Sequence, residues 1–247
     1  MKHALKAIAI LAMLLWVVSC GRENSIELTS PETTTSHLGK AGGQAYSDYE
    51  DGAAPEGSGV SEAPITVQGN LQVYTSRASF ECDLTSTDFE GSKLPPFSVG
   101  VCGPLSSAAN ECYAAGTIPD GILLTALLPG VPEQMAVLTE GFLGLSNTAV
   151  GPNFFSADLV MSFSSGDVNA VGMEILDPFG PTTVNLYVFG PNKTLLGIVT
   201  VTSGRTNGKF IALFSPFSPI TNINFDQLDS FGGELVDNVS FGSCERN

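Results

Sequence analysis

Histidine is almost missing from this chain. Of its 247 residues only His3 and His37 are histidine, both close to the N-terminus. The long remainder therefore has no Ser-His-Asp or Cys-His catalysis and no His-based zinc site. Tryptophan occurs once, at Trp16, and Lys and Arg number 10 against 25 Asp and Glu. That balance disfavours nucleic-acid binding, because affinity for phosphates depends on neutralising them with Lys and Arg. Long apolar runs are lacking too: Ala7 to Val18 is 12 residues, whereas a spanning helix needs about 20. No Cys-x-x-Cys pair points to a metal cluster, and no Gly-rich stretch ends in Lys-Ser/Thr to cradle a phosphate. A paired-carboxylate glycosidase mechanism stays open, although no spacing singles out a pair.

What is present begins with an address. Lys2 and Lys6 precede the apolar run, and Ser19 is a small residue at its end, the order of a secretory signal. Val17-Val18-Ser19-Cys20 resembles the lipobox of bacterial lipoproteins, with Val17 and Val18 where Leu and Ala are commoner. The resemblance covers the first 20 residues. It implies a diacylglycerol on the Cys20 thiol and, with Gly21 rather than Asp next, display at the outer membrane or cell surface. Multiple acyl chains would make the anchor stable. Ordinary signal cleavage, leaving Cys20 as a free or paired thiol, is the alternative.

Beyond Cys20 the chain keeps 8 Lys and Arg against 25 Asp and Glu, a net charge of 8 − 25 = −17. A charge of this sign suits solubility, repulsion from anionic surfaces and attraction of divalent cations. Gly21 to Pro64 is rich in Gly, Pro, Ser and Thr and acidic residues, and only Ile26, Leu28, Leu38 and Val60 are large aliphatics. Such a segment buries too little apolar surface to offset its ordering entropy and reads as a disordered tether. Tyr46 and Tyr49, among Asp48, Glu50 and Asp51, belong to this solvated acidic linker or form a docking motif within it.

From Ile65 onward the hydrophobic period is two. Phe155, Ala157, Leu159, Met161 and Phe163 alternate with mostly polar residues, Ser164-Ser165-Gly166-Asp167 supplies a turn, and Val171, Met173 and Ile175 resume the alternation. The pair reads as a hairpin. Further strands are predicted at Ile65–Tyr74, Thr87–Glu90, Phe97–Val101, Ile122–Leu127, Val184–Phe189, Leu195–Thr202, Phe210–Ser215, Ile220–Phe225 and Leu235–Phe241. Ser76–Glu81 reads as one helical turn capped by Ser76, with Arg77 and Glu81 four apart. Short strands punctuated by Gly and Pro, without a long amphipathic helix, predict an all-β domain over 65–247, a jelly-roll-like β-sandwich.

Cys82, Cys102, Cys112 and Cys244 are an even set in an exported chain and imply two disulfides. Of three connectivities, Cys102 with Cys112 closes a compact loop and leaves Cys82 for Cys244. The loop-entropy relation gives about 3 kcal/mol for the short closure and about 5 for the long one.

In Leu235-Val236-Asp237-Asn238-Val239-Ser240-Phe241, strict alternation puts Asp237 on the face of Val239 and Phe241. A carboxylate there needs a cation or several hydrogen bonds to stay charged. A short helix, Asp88-Phe89-Glu90-Gly91, a series of strands and a terminal Val-Asp-Asn-Val-Ser-Phe-Gly resemble secreted bacterial β-sandwich domains akin to carbohydrate-binding jelly rolls. That resemblance spans about Arg77 to Gly242. It implies a structural calcium held by Glu90 and Asp237, with Asp88 as a helper and backbone carbonyls completing the shell. The alternative is an Asp237 that caps the Gly232-Gly233 turn. For sugar binding the domain has no Trp, only Tyr74, Tyr113 and Tyr187 as polar-tipped platforms.

These features together describe a lipid-anchored envelope module whose partners are the membrane and a glycan or another envelope protein. The other classes are a glycan hydrolase using paired carboxylates and a purely structural envelope protein. Metabolic labelling with a fatty-acid analogue checks the anchor: wild type should incorporate the label, and Cys20→Ser should lose it and accumulate as unprocessed precursor. A processed but unlabelled wild type would show ordinary cleavage instead.

Overall fold

The computed structural model describes residues 45–48, 64–130, 132–228 and 234–245. The predicted signal segment, Cys20 and most of the predicted tether, Tyr49 included, lie outside the described residues. In chain order the strands are β1 (Thr66–Gly69), β2 (Gln72–Tyr74), β3 (Thr85–Thr87), β4 (Val99–Cys102), β5 (Ile122–Leu127), β6 (Met135–Leu138) and β7 (Ala149–Pro152). They continue with β8 (Asp158–Phe163), β9 (Ala170–Leu176), β10 (Thr183–Phe189), β11 (Leu195–Thr202), β12 (Lys209–Phe214), β13 (Asn222–Gln227) and β14 (Leu235–Gly242). Only short 3-10 turns interrupt them among the described residues.

Two antiparallel sheets result. One has the order β1-β11-β10-β13-β8-β5 and the other β2-β12-β9-β14-β7-β6-β4, with β3 on β14. The alternating side chains explain the layering. Leu159, Met161, Val184, Leu186, Val188, Ile223 and Phe225 of the first sheet meet Val171, Met173, Ile175, Ile211, Leu213, Val236 and Phe241 of the second in one buried cluster. From β8 on, all but one connection crosses between the sheets, β10 to β11 being the exception. The expected all-β, jelly-roll-like sandwich is the observed fold.

The crossing overturns the predicted hairpin. β8 pairs with β13 and β5, whereas β9 pairs with β12 and β14. Both strands direct their apolar residues into the same core from opposite sides, so the Ser164–Asp167 turn arches over that core. The predicted strand Ile65–Tyr74 also divides, and its halves join different sheets. Gly69 makes the break at φ 96°, where a Cβ would collide with the backbone of Leu196 and Gly197, so only glycine suits the exit.

The helical turn is shorter than predicted. It is a 3-10 turn, Arg77–Ser79, without a side-chain cap from Ser76. Ser79 Oγ instead donates to the Ser76 carbonyl. Arg77 pairs not with Glu81 but with Glu174 at 3.0 Å, its guanidinium 4.7 Å from the Phe210 ring centroid, because one 3-10 turn is too short to bring residues four apart together.

Two strands, β6 and β7, carry no alternation, since every residue of both is buried. Met135, Val137 and Val150 face the principal core. Ala136, Leu138 and Ala149 face a second cluster on the outer side of the sheet with Phe142, Phe155, Phe179 and Leu235.

Tyr46 completes that second cluster. Placed in the tether by the sequence reading, it is 0% exposed, edge-on to Phe155 at 4.7 Å and stacked with Phe179 at 6.0 Å. Its N–H donates to the Asn153 carbonyl, and the Ser47 N–H donates to Asn153 Oδ1. Residues 45–48 are therefore part of the folded body. One aromatic ring supplies enough apolar burial to order its neighbours, which composition averaged over 44 residues conceals.

Both expected disulfides are formed. Cys82 and Cys244, 162 residues apart, have Cα atoms 5.5 Å from each other, and those of Cys102 and Cys112 are 6.0 Å apart. The long bridge ties the segment before β3 to the end of β14. Tyr46→Ala should destabilise by about 3 kcal/mol or more, as for other buried aromatics. Thermal melting of the mature protein should show a Tm lower by on the order of 10 °C. Solvated-linker behaviour predicts no change.

Candidate functional site

The two carboxylates expected to share a cation come from opposite ends of the chain. After β3 the backbone turns sharply: Phe89 has φ 59° and is buried, and the Glu90 N–H donates to Asp88 Oδ1 at 3.2 Å. The turn sends Glu90 to Thr148, whose N–H and hydroxyl donate to its two carboxylate oxygens at 2.6 and 2.9 Å.

Asp237 sits at a bulge in β14. Its partner across the ladder is Glu174 of β9, and the register shifts between Asp237 and Ser240, with Asn238 at φ 49°. The extra residue breaks the strict alternation assumed from sequence. Val236, Val239 and Phe241 all enter the principal core, and Leu235 lies in the outer cluster. Asp237 thus belongs to the outer face of the eight-stranded sheet, not to the face of Val239 and Phe241. It is nevertheless only 3% exposed. Asn147 Nδ2 donates to Asp237 Oδ2 at 3.3 Å, Asn238 Nδ2 to the same oxygen at 2.9 Å, and the Asn238 N–H to Oδ1 at 2.5 Å. Gly232 and Gly233, the alternative capping partners, lie outside the described residues.

Glu90 and Asp237 therefore converge on consecutive residues, Asn147 and Thr148. Burial raises the Asp237 carboxyl to about 7, with Glu174 and Glu90 adding repulsion against the lowering effect of Asn238 and Asn147. Glu174 is engaged by Arg77 and by Asn238 Nδ2, the latter at 3.0 Å. The two carboxylates are the oxygen ligands a hard cation such as calcium takes, although each here accepts hydrogen bonds from Asn147, Asn238 or Thr148. Among the described residues, however, no three acidic, His or Cys side chains close on one point. Two carboxylates, flanked by the Asn147 and Asn238 amides and the Thr148 hydroxyl, are what the site offers.

Of the three tyrosines read as platforms, Tyr113 is not one. It is fully buried, its hydroxyl donating to the Phe89 carbonyl at 3.0 Å. Burial, reinforced by Glu90 and Asp237, pushes its phenol well up. Tyr74 is half-buried at the end of β2, tilted against Phe80 at 5.6 Å. Tyr187, central in β10, lies on the outer face of the six-stranded sheet.

A second carboxylate pair escaped the sequence reading. Asp177 and Glu234 are each 1% exposed. Asp177 accepts from the Phe179 N–H at 2.9 Å, from the Thr182 hydroxyl at 3.3 Å and from Gln227 Nε2 at 3.3 Å. Glu234 accepts from the Gln227 N–H at 2.6 Å. Asp177 followed by Pro178, Phe179 and Gly180 reads as an ordinary turn, and only the fold brings Glu234 to it. Such burial keeps a polymeric glycan from this pair.

Desolvation raises the Asp177 carboxyl to about 8 from 3.8, with Glu234 adding repulsion, against lowering hydrogen bonds from Phe179, Thr182 and Gln227. Across that window the native state binds more protons than the unfolded chain. Its contribution to stability is full below about pH 4 and is lost as pH rises towards 8. Tm should fall between pH 5 and pH 8, and Asp177→Asn should flatten that dependence; an unchanged slope would dissociate Asp177 from it. No family model matches this sequence, and no curated protein or solved structure matches it either.

Proposed function

We propose that the chain is a lipid-anchored binding module of a bacterial envelope, carbohydrate-binding-like in its sandwich, with a structural calcium ion at Glu90 and Asp237. The observation that carries this reading is the meeting of those two carboxylates at Asn147 and Thr148, with Asp237 buried beside Glu174. Glu174 and Glu90 add repulsion to the buried Asp237 carboxyl, and a divalent cation would relieve that repulsion. In this reading Glu90 and Asp237 hold the ion, with Asp88 as a helper and backbone carbonyls completing its shell, and the Asn147 and Asn238 amides give up their bonds to Asp237. Calcium would then join the turn after β3, the segment before β7 and the β14 bulge, fixing distant parts of the chain. The sandwich beneath is a rigid scaffold for a ligand, and the Cys20 anchor would hold it at the envelope.

Calcium at a hundredfold excess over its Kd would stabilise by about 2.7 kcal/mol. In a domain of this size that raises Tm by about 5 to 10 °C. The rise should be reversed by chelator and lost in Asp237→Asn and Glu90→Gln. An identical melting curve with saturating calcium and with chelator would remove the ion from the reading.

A further inference from the structure

The outer face of the eight-stranded sheet dips beside its acidic cluster. Along β9 the outward residues include Ala170, Gly172 and Glu174, since Val171, Met173 and Ile175 enter the core. Gly172 pairs with Ala212 of β12 on one side and with Ser240 of β14 on the other. Three small residues thus lie in one row across three adjacent strands. The rows on either side are larger: Phe210 stands beside Glu174, and Phe214 beside Ala170. Glycine inside a strand weakens it and often marks a close approach from outside the sheet. Here a Cβ on Gly172 would stand 2.8 Å from Ser240 Oγ and 3.2 Å from the Phe80 ring.

The segment from Arg77 to Leu84 lies over this row without filling it. Phe80, Cys82 and Leu84 of that segment, with Arg77 and with Phe210 and Ser240 of the sheet, line a cavity of about 180 Å³. An apolar cavity of about 150 Å³ holds one benzene, so this one has room for a single ring with a small substituent. Its walls are fixed before any ligand arrives. Cys82 is bonded to Cys244 at the end of β14, and the Phe80 ring centroid lies 5.6 Å from that of Tyr74 and 6.4 Å from that of Phe210. A preformed pocket loses little binding energy to ordering.

Arg77 is the charged residue of the lining, and its charge is already matched. Half exposed, it donates to Glu174 at 3.0 Å, and its guanidinium lies 4.7 Å from the Phe210 ring centroid. Beyond it, Glu174 and Glu90 add negative charge around Asp237. An anion at Arg77 would meet that field with no net positive charge to hold it, and a cation would meet the guanidinium. A neutral oxygen gains instead, because a guanidinium carries several N–H donors and Glu174 takes only part of that capacity. A sugar fits less well. Its many hydroxyls would face only Arg77 and Ser240, whose hydroxyl already donates to the Gly172 carbonyl at 3.4 Å, and buried hydroxyls without partners are costly.

We infer that this cavity binds a small neutral aromatic molecule, a single ring carrying a carbonyl or hydroxyl oxygen. The ring lies against Phe80, Phe210 and Leu84, in the edge-to-face or offset arrangements that aromatic pairs prefer, and its oxygen accepts a hydrogen bond from Arg77. The inference goes beyond the calcium and carbohydrate-binding-like reading and rests on neither. A ligand of about nine non-hydrogen atoms, partly solvated beside the half-exposed Arg77, binds with a Kd on the order of 1 mM.

NMR titration of the isotope-labelled mature chain, with both disulfides intact, tests the assignment. The probes are benzamide, benzyl alcohol, benzoate, benzylamine and glucose. Benzamide or benzyl alcohol should shift the Phe80, Gly172 and Ser240 amides saturably, with a Kd of about 1 mM, and should give NOEs from ring protons to Phe80 or Leu84. Benzoate and benzylamine should bind about fivefold more weakly or worse, and glucose should leave the spectrum unchanged. Ser240→Leu, which fills the cavity from the sheet, should weaken benzamide about tenfold, and Arg77→Leu about fivefold, the scale of one hydrogen bond. Amide resonances away from the site should keep their wild-type dispersion in both folded variants. The NOEs need no variant, so they decide the location even if Ser240→Leu fails to fold. Undiminished binding to folded Ser240→Leu, or NOEs to residues elsewhere, would overturn the location. Benzoate or benzylamine binding as tightly as benzamide would overturn the neutral class. No saturable shift with either neutral ring would overturn the inference as a whole.

Discussion

The pairing of β14 with β9, interrupted by one bulge, is the constraint on which the rest of the structure depends. Before the bulge the ladder runs Leu235 to Leu176, Val236 to Ile175 and Asp237 to Glu174; after it, Ser240 meets Gly172 and Phe241 meets Val171. The extra residue lets Val236 and Val239 both enter the core, which an unbroken period of two would forbid. The same irregularity buries Asp237 beside Glu174 and aims it at Asn147. Past the bulge β14 receives β3, and the chain ends in the bridge from Cys244 to Cys82. One local departure from regular pairing thus positions the acidic cluster, the short strand that delivers Glu90, and the closure of the domain.

The two sheets use their outer faces differently. The eight-stranded sheet is covered over β6, β7 and the end of β9 by a second aromatic cluster, which Tyr46 closes. Its acidic cluster lies alongside, where burial and like charge raise the Asp237 carboxyl. The six-stranded sheet keeps an outer face of amides, hydroxyls and half-exposed aromatic and aliphatic side chains.

Strands were legible where one face is wet. Ile122–Leu127 and Leu195–Thr202 show a period of two because water lies on one side and the core on the other, and both have the bounds their patterns indicate. β6 and β7 are dry on both faces and left no such trace. The β8 and β9 patterns were read correctly as strands, but their pairing was not, since alternation specifies which face is apolar and not which sheet receives the strand. At the candidate site the residues Glu90 and Asp237 were legible as carboxylates beside strands. Their meeting through Asn147 and Thr148 was not, because hydrogen bonds between residues 58 and 90 positions apart have no local signature. Asp177 and Glu234 were hidden for the same reason.

By itself the sequence determined the all-β class, the even set of domain cysteines and the scarcity of histidine and of cationic charge. Composition and short-range period depend only on residue type and spacing, so they survive without a structure. Only the tertiary structure decided which strands share a sheet, where the β14 bulge turns Asp237, and that Tyr46 belongs to the folded body. Those outcomes follow from long-range burial and register, in which each residue's environment is made by partners far away in the chain.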